Sequence, residues 1–119
     1  MEYLLMIHSE TSSNAEAVPE ATRHKMLSAY RAYTEALQEA GVMRGTNRLR
    51  PASSGTTVRV REGKTQVQNG PFIETREELG GYYLIDVPNL DEALSWAARC
   101  PGASHGTMEV RPIWPMGAY

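Results

Sequence analysis

The sequence has little of what stabilises secreted or membrane-bound proteins. Cys100 is the single cysteine among 119 residues, so no internal disulfide can form and packing must hold the fold. The longest apolar run covers only residues 3–7, whereas a membrane span needs about 20 apolar residues. A signal peptide needs a basic start and a longer apolar stretch than this N-terminus has. These absences predict a cytoplasmic protein with no membrane partner.

The chain also lacks an excess of charge of either sign. Twelve basic and fourteen acidic residues give a net charge of -2, and a nucleic-acid partner would require a basic excess on some face. The histidines at 8, 24 and 105 have none of the short spacings typical of metal ligands. No glycine-rich loop precedes a helix, as a phosphate cradle would require. We therefore expect no nucleic-acid partner, no metal and no cofactor.

What the chain does have is an ordinary globular composition, with 41% hydrophobic residues. Its length is enough to bury one core, and no linker, repeat or low-complexity tract divides it. Residues 1–119 are therefore expected to form a single domain.

The first half of the sequence predicts a strand, a helix and a second strand. Residues 3–7 are apolar on both alternating faces, which is typical of a central strand. From residue 20 to residue 40, apolar positions recur every three or four residues, and Gly41 follows as a stop signal. Val42 and Met43 then begin the second strand. Residues 57–61 and 64–68 alternate around Glu62-Gly63, which indicates a β-hairpin at or beyond a sheet edge.

The second half begins with turn residues. Asn69-Gly70-Pro71 is a turn, and Thr75 with Glu78 has the spacing of a capping box, so a single helical turn is expected to end at Gly80. Residues 82–87 are predicted to form a strand, and Asn89 to cap a helix. The expected buried positions of that helix are Leu90, Ala93, Leu94, Ala97 and Cys100. Residues 108–114 are predicted to form the last strand, and His105 lies in the loop before it.

The order β-α-β, hairpin, β-α-β is typical of an α+β ferredoxin-like sandwich with an inserted β-hairpin. Two helices would cover one face of a mostly antiparallel sheet and leave the other face open. Tyr82 and Tyr83 are expected to point to opposite faces of that sheet. Because an uncovered apolar face in a soluble protein usually marks association, we predict a homodimer formed through the sheet face.

Candidate site residues are those for which the predicted backbone leaves no structural role. Phe72, Glu74, Arg76 and Tyr83 could together form a cleft in which a carboxylate, a guanidinium and a phenol orient a small polar ligand. His8 ends the first strand and is a second candidate for proton transfer, beside Glu74. The alternative is that Phe72 fills the core and that Glu74 and Arg76 form a surface ion pair.

The segment from Asn69 to Tyr83 reads NGPFIETREELGGYY, and it is followed by Trp96-Ala97-Ala98-Arg99-Cys100-Pro101 and by Glu109-Val110-Arg111-Pro112. It resembles the DGPF-type branch of the YCII-related proteins over nearly the whole chain. The resemblance implies a ferredoxin-like dimeric α/β barrel. In this chain Asn69 replaces the usual Asp of the motif, and Arg76 replaces a usual Lys. Other YCII-related proteins carry a histidine near the start of the long helix, and the corresponding position here is Tyr30.

The resemblance implies no settled activity. Relatives in this branch are often found beside extracytoplasmic-function sigma factors, which hints at a regulatory or partner role. Two functions are therefore expected as alternatives. The first is a small-molecule site, binding or catalytic, near residues 69–83, in which Arg76 orients an anionic ligand and Phe72 and Tyr83 form the walls. The second is a non-catalytic interaction domain with a regulatory protein partner.

Overall fold

The structure of the protein, a computed structural model, describes residues 1–10, 19–70 and 76–118. The predicted order of the six strands and the two long helices is confirmed, with a short 3-10 helix (Ala52–Ser54) added after β2 and one short α-helix added near the C-terminus. In chain order the elements are β1 (Glu2–Glu10), α1 (Glu20–Glu39), β2 (Met43–Arg48), β3 (Thr56–Arg61), β4 (Lys64–Asn69), β5 (Glu77–Asp86), α2 (Leu90–Arg99), α3 (Gly102–His105) and β6 (Thr107–Pro112).

Four strands form one open antiparallel sheet in the order β2-β5-β1-β6. This is the order of a ferredoxin-like sheet, in which the first of four strands lies between the third and the fourth. Here β1 lies between β5 and β6, the third and fourth strands of this sheet in chain order. The strands β3 and β4 pair with each other as a separate two-stranded sheet. The predicted α+β class and the inserted hairpin are therefore confirmed. The described chain alone does not close a barrel.

The core lies between one face of this sheet and the helices. Tyr3 and Leu5 of β1 pair with Ile85 and Tyr83 of β5, and all four side chains are buried. Tyr33 and Leu37 of α1 pack against these four side chains in the same core. Cys100 is also fully buried, which confirms its predicted place in the core. Because side chains along β1 and β5 point alternately to the two faces of the sheet, every second residue of these strands faces the helices and is buried.

The other face of the sheet carries the alternate residues of the same strands. Leu4 pairs with Leu84, Met6 pairs with Tyr82, and each of these side chains is only partly buried. The prediction that Tyr82 and Tyr83 point to opposite faces is confirmed. Both helices that flank the sheet pack on the core side, so this second face has an apolar centre without a covering element in the described chain.

The predicted helical turn after Thr75 is wrong over the described residues, because β5 already begins at Glu77. Gly80 and Gly81 lie inside that strand, where Glu10, Ser9 and Ile7 of β1 pair with residues 77, 78 and 81. A capping box on a single helical turn supplies at most two side-chain hydrogen bonds, whereas the strand forms a continuous ladder of backbone hydrogen bonds with its neighbour. Long-range pairing therefore outweighs the local capping signal.

The prediction for α2 is right about its N-cap but wrong about part of its buried face. The Asn89 side chain accepts a hydrogen bond from the Glu92 N–H at 3.0 Å, as expected of an N-cap. Ala93 and Ala97 are buried as predicted, but Leu90 and Leu94 are each 47% exposed. The small alanines allow α2 to lie close to the sheet, which turns the two leucines outward.

The C-terminal part of the fold also differs from the prediction. Residues 102–105, expected as a loop around His105, form α3. The last strand ends at Pro112 rather than at 114, and Trp114 is 74% exposed. Beyond Pro112 the chain has left the register of β1, whose first residue, Glu2, accepts a last hydrogen bond from the Ile113 N–H.

The β3–β4 hairpin projects from the domain, as the sequence indicated. Glu62 and Gly63 form its turn with positive φ angles of 54° and 75°. The exposed fractions of Val58, Val60 and Val67 lie between 58% and 63%. Within the described residues, no helix is both long and apolar enough to cross a membrane.

Replacing one buried and one exposed leucine by alanine tests this description of the core. Leu37→Ala should lower the free energy of unfolding by about 2–5 kcal/mol, because Leu37 is fully buried against the sheet. The matched change Leu94→Ala should lower it by about 0.5 kcal/mol or less, since Leu94 faces outward. Denaturant unfolding followed by circular dichroism measures both. Equal losses for the two variants would show that α2 is packed differently.

Candidate functional site

A cavity of about 370 Å³ lies between the N-terminal half of α1 and the sheet. The helix lines it with Arg23, Met26, Leu27 and Tyr30. These residues are spaced three, four and seven positions from Arg23, so they share one face of the helix. The same amphipathic pattern that predicted α1 therefore also forms one wall of the cavity.

The floor of the cavity is formed by the sheet, where β1, β2 and β5 run side by side. Ile7, Gly80, Gly81 and Tyr83 all line it. A Cβ added at Gly81 would lie 2.9 Å from the Asn47 carbonyl oxygen, closer than real Cβ atoms come. Glycine at 81 thus allows the two strands to approach, and the absence of side chains at 80 and 81 leaves space above them.

Tyr83 is held rigidly in the wall by a short hydrogen-bond chain. The Thr34 hydroxyl donates to the Tyr30 carbonyl oxygen at 2.8 Å, and the Tyr83 hydroxyl lies 2.8 Å from the same Thr34 oxygen. Since the single Thr34 proton is committed, Tyr83 is the donor in its contact with Thr34. The Tyr33 ring packs edge-on against the Tyr83 ring at a centroid distance of 5.1 Å. Burial raises the pKa of Tyr83.

Tyr30 contributes a phenol with a different character. Its hydroxyl has no hydrogen-bond partner among the residues that the structure describes. Burial raises the pKa of Tyr30 to about 12, with smaller contributions from Cys100 and Tyr83, although the positive charge of Arg48 opposes the shift. The side chain therefore stays neutral and able to donate a hydrogen bond at physiological pH.

The position of the Tyr30 ring depends on a glycine in another element. A Cβ at Gly102, the first residue of α3, would lie 2.9 Å from the Tyr30 hydroxyl oxygen and 2.8 Å from the Ile7 side chain. Gly102 is buried at this contact. The absence of a side chain at 102 thus makes room for the phenol between α1 and α3.

The charged groups around the cavity are mostly positive. Arg23, Arg48 and Arg50 line it together with one carboxylate, that of Glu78. Within the described part of the chain, the three arginines form no ion pair. Glu78 Oε2 accepts a hydrogen bond from the Ala52 backbone N–H at 3.0 Å. The carboxylate thus anchors the loop after β2, which carries Arg50 and Pro51.

The structure brings together only part of the site expected from the sequence. Tyr83 lines the cavity, whereas Arg76 is exposed ahead of β5 and is not among the described lining residues. Phe72 and Glu74 lie outside the described residues. His8 faces the opposite side of the sheet, where its Nε2 lies 3.0 Å from Glu109 Oε1. His8 and Tyr83 are therefore separated by the sheet.

Sequence reasoning did not select the residues that matter most in this cavity. In the sequence Tyr30 stands out only as the position that corresponds to the family histidine, and nothing there distinguishes Arg48 or Arg50 as site residues. The helical spacing of Arg23, Met26 and Tyr30 was a usable signal for a shared face. The end of β2 had no such signal, because its place beside α1 depends on pairing with β5. No group of three or more potential metal ligands occurs among the described residues.

Comparisons with known proteins give one family match and one relative of unassigned function. A family model described as the YCII-related domain matches residues 1–117. An uncharacterized protein of Rhizobium meliloti (strain 1021) is 47% identical over 77 residues. The aligned part is 63% of this chain and 62% of that relative's length.

The titration of Tyr30 provides a test of the cavity wall. Because the folded protein holds this proton up to about pH 12 while an unfolded tyrosine releases it near pH 10, the free energy of unfolding should fall as the pH rises from about 10 to 12. Tyr30→Phe should make this fall less steep, and should remove one late-titrating tyrosinate from the absorbance titration. Identical pH profiles for the two proteins would mean that the Tyr30 phenol is solvated.

Proposed function

The chain belongs to the YCII-related family, and from this premise we propose that it binds a small organic molecule in the cavity between α1 and the sheet. The observation that carries the proposal is the Tyr30 hydroxyl, a neutral donor without a described partner, in the wall of a cavity with mainly apolar sides. Tyr30 is only partly buried, and no buried side-chain polar atom of the described residues lacks a partner, so this hydroxyl is accessible from the cavity and can donate to an occupant that replaces water there.

The size and composition of the cavity support this proposal. Small-molecule sites have volumes of about 300–1,000 Å³, with apolar walls and a few polar groups that set the orientation of the ligand. Here Ile7, Met26 and Leu27 supply apolar surface, and Tyr30 and Arg48 supply donors. The cavity also lies at the ends of β1 and β2, where a ligand can enter beside the loop at residues 49–51.

The residues selected from the sequence have unequal places in this proposal. Tyr83 serves as a rigid wall, because its hydroxyl already donates to Thr34. Arg76 precedes β5, Phe72 and Glu74 lie outside the described residues, and the part of all three in binding stays a prediction. His8 stays a candidate for proton transfer only on the opposite face, with Glu109 as its hydrogen-bond partner.

Blocking the cavity provides a direct test of ligand binding. Leu27 is 50% exposed and lines the cavity, whereas Leu94 is 47% exposed on α2 and does not line it. In a thermal-shift screen of metabolites, compounds that raise the melting temperature of the wild type should do so much less for Leu27→Trp. The matched variant Leu94→Trp should respond like the wild type.

Two results would contradict the proposal. If no ligand class stabilises the wild type, the cavity is not a binding site for such molecules. If Leu27→Trp and Leu94→Trp respond equally to a ligand that does bind, the ligand occupies another place on the protein.

We also propose that two chains associate through the open face of the sheet. Leu4, Met6, Tyr82 and Leu84 form its apolar centre, and the described helices all pack on the other side. Charged residues surround this centre, among them Asp86, which pairs with Arg44 at 3.7 Å, and Glu109. An apolar centre with a polar rim is typical of a two-fold interface.

Light scattering at micromolar concentration tests this association. The wild type should have the mass of a dimer, and Leu84→Glu should shift it to a monomer, because a charge would then be buried in the centre of the interface. Leu94→Glu, which places the same charge on the outer face of α2, should remain a dimer. A monomeric wild type would refute the proposal.

A second candidate function is that of an interaction domain with a regulatory protein partner, as the neighbourhood of the DGPF-type branch suggested. We include this chain in that branch as a proposal, on the motif that begins at Asn69. The exposed Val58, Val60 and Val67 of the projecting hairpin favour the second candidate. It would gain support over the first if the metabolite screen were negative and a partner recovered by pull-down were lost on Val67→Ser.

A further inference from the structure

The charge around the cavity is opposite in sign to that of the whole chain. The protein carries a net charge of -2, yet the cavity is lined by three arginines and a single carboxylate. The arginines come from two separate parts of the fold, with Arg23 on α1 and Arg48 and Arg50 at the end of β2 and just beyond it. The tertiary structure therefore brings positive charge from both segments together at the cavity.

The single carboxylate does not neutralise these arginines by contact. Glu78 is hydrogen-bonded to the Ala52 backbone, and it forms no ion pair of 4.0 Å or less with Arg23, Arg48 or Arg50 in the described chain. Elsewhere the protein does pair its arginines, as Arg44 does with Asp86 and Arg111 with Glu109. Within the described residues, the arginines that line the cavity are thus available to an external anion.

Tyr30, one of several uncharged polar residues that line the cavity, also suits an anion. Tyr30 donates a hydrogen bond and is neutral at physiological pH, so it adds no negative charge to the site. Hydrogen bonds from a guanidinium or a phenol to an ionised acceptor are stronger than those to a neutral one. A planar guanidinium can also hold a carboxylate or a phosphate group through two parallel hydrogen bonds.

We propose that the ligand of this cavity is a small organic anion, with its carboxylate or phosphate group bound by Arg48 and its neighbours Arg23 and Arg50. Its apolar body packs against Met26, Leu27 and the Tyr30 ring. This inference rests on the proposed function, since it names the chemical class that the same cavity selects. The volume of about 370 Å³ equals that of about a dozen water molecules, which suits one ring and an acidic substituent.

Probes of similar size and different charge distinguish a preference for anions from binding of any small ring compound. Benzoate and phenyl phosphate each carry a ring and an anionic group, and benzyl alcohol and benzylamine are neutral and cationic analogues of similar size. Inorganic phosphate has the charge without the ring. In calorimetric titrations at low salt, at least one of the two ring-bearing anions should bind about tenfold or more tightly than either analogue and than inorganic phosphate. The stronger of the two identifies the acidic group.

Two variants on β2 test whether Arg48 is the residue that binds the anion. Arg48→Gln should weaken binding of the preferred anion by about tenfold, because a charge-assisted hydrogen bond is lost. Arg44→Gln removes an exposed charge from β2 that pairs with Asp86 outside the cavity, and should leave the affinity nearly unchanged. Raising the salt concentration should weaken binding to the wild type more than binding to Arg48→Gln.

The possible failures are distinguishable. If benzyl alcohol or benzylamine binds as well as the anions, and Leu27→Trp abolishes that binding, the cavity is a ligand site but its preference for anions is wrong. If Arg48→Gln and Arg44→Gln weaken anion binding equally, the general field of the protein is responsible and the assignment to Arg48 fails. If none of the ring-bearing probes binds the wild type, the result counts against the proposed function itself.

Discussion

The antiparallel pairing of β1 with β5 is the interaction on which the rest of the structure depends. It aligns Tyr3 and Leu5 with Ile85 and Tyr83 on one face, and the burial of these side chains beneath α1 forms the core. Because side chains alternate along a strand, the same register places Leu4, Met6, Tyr82 and Leu84 on the other face. A shift of one residue would exchange the two sets, so the core and the open face are determined together.

The same pairing forms the floor of the cavity. β5 begins at Glu77, early enough for Gly80 and Gly81 to lie inside the sheet, and Gly81 allows β2 to approach on its other side. That approach brings Arg48 beneath the N-terminal half of α1, where Tyr30 and Arg23 face it across the cavity. The charge of the cavity thus results from strand pairing, since Arg23 and Arg48 are far apart in the sequence.

The two faces of the sheet carry different features. The covered face holds the core and, at one end, the cavity, where a phenol without a described partner lies among apolar walls and arginines. The open face holds His8 with Glu109 around an apolar centre. The ligand site and the association surface lie mainly on opposite sides of the four strands, and of the residues in the apolar centre only Tyr82 also lines the cavity, so one protein can have both.

The sequence by itself determined the class of the fold, the order of its elements, the Asn89 cap, the hairpin and the place of Cys100, because each depends on local periodicity or local turn chemistry. Only the tertiary structure decided where β5 begins, since its first residues are held by β1 rather than by a local cap. Tertiary packing also decided that Leu90 and Leu94 face outward and that Tyr83, but not His8, lines the cavity. The meeting of Tyr30 with Arg48 depends on contacts between elements distant in the chain, and no spacing within either segment encodes it.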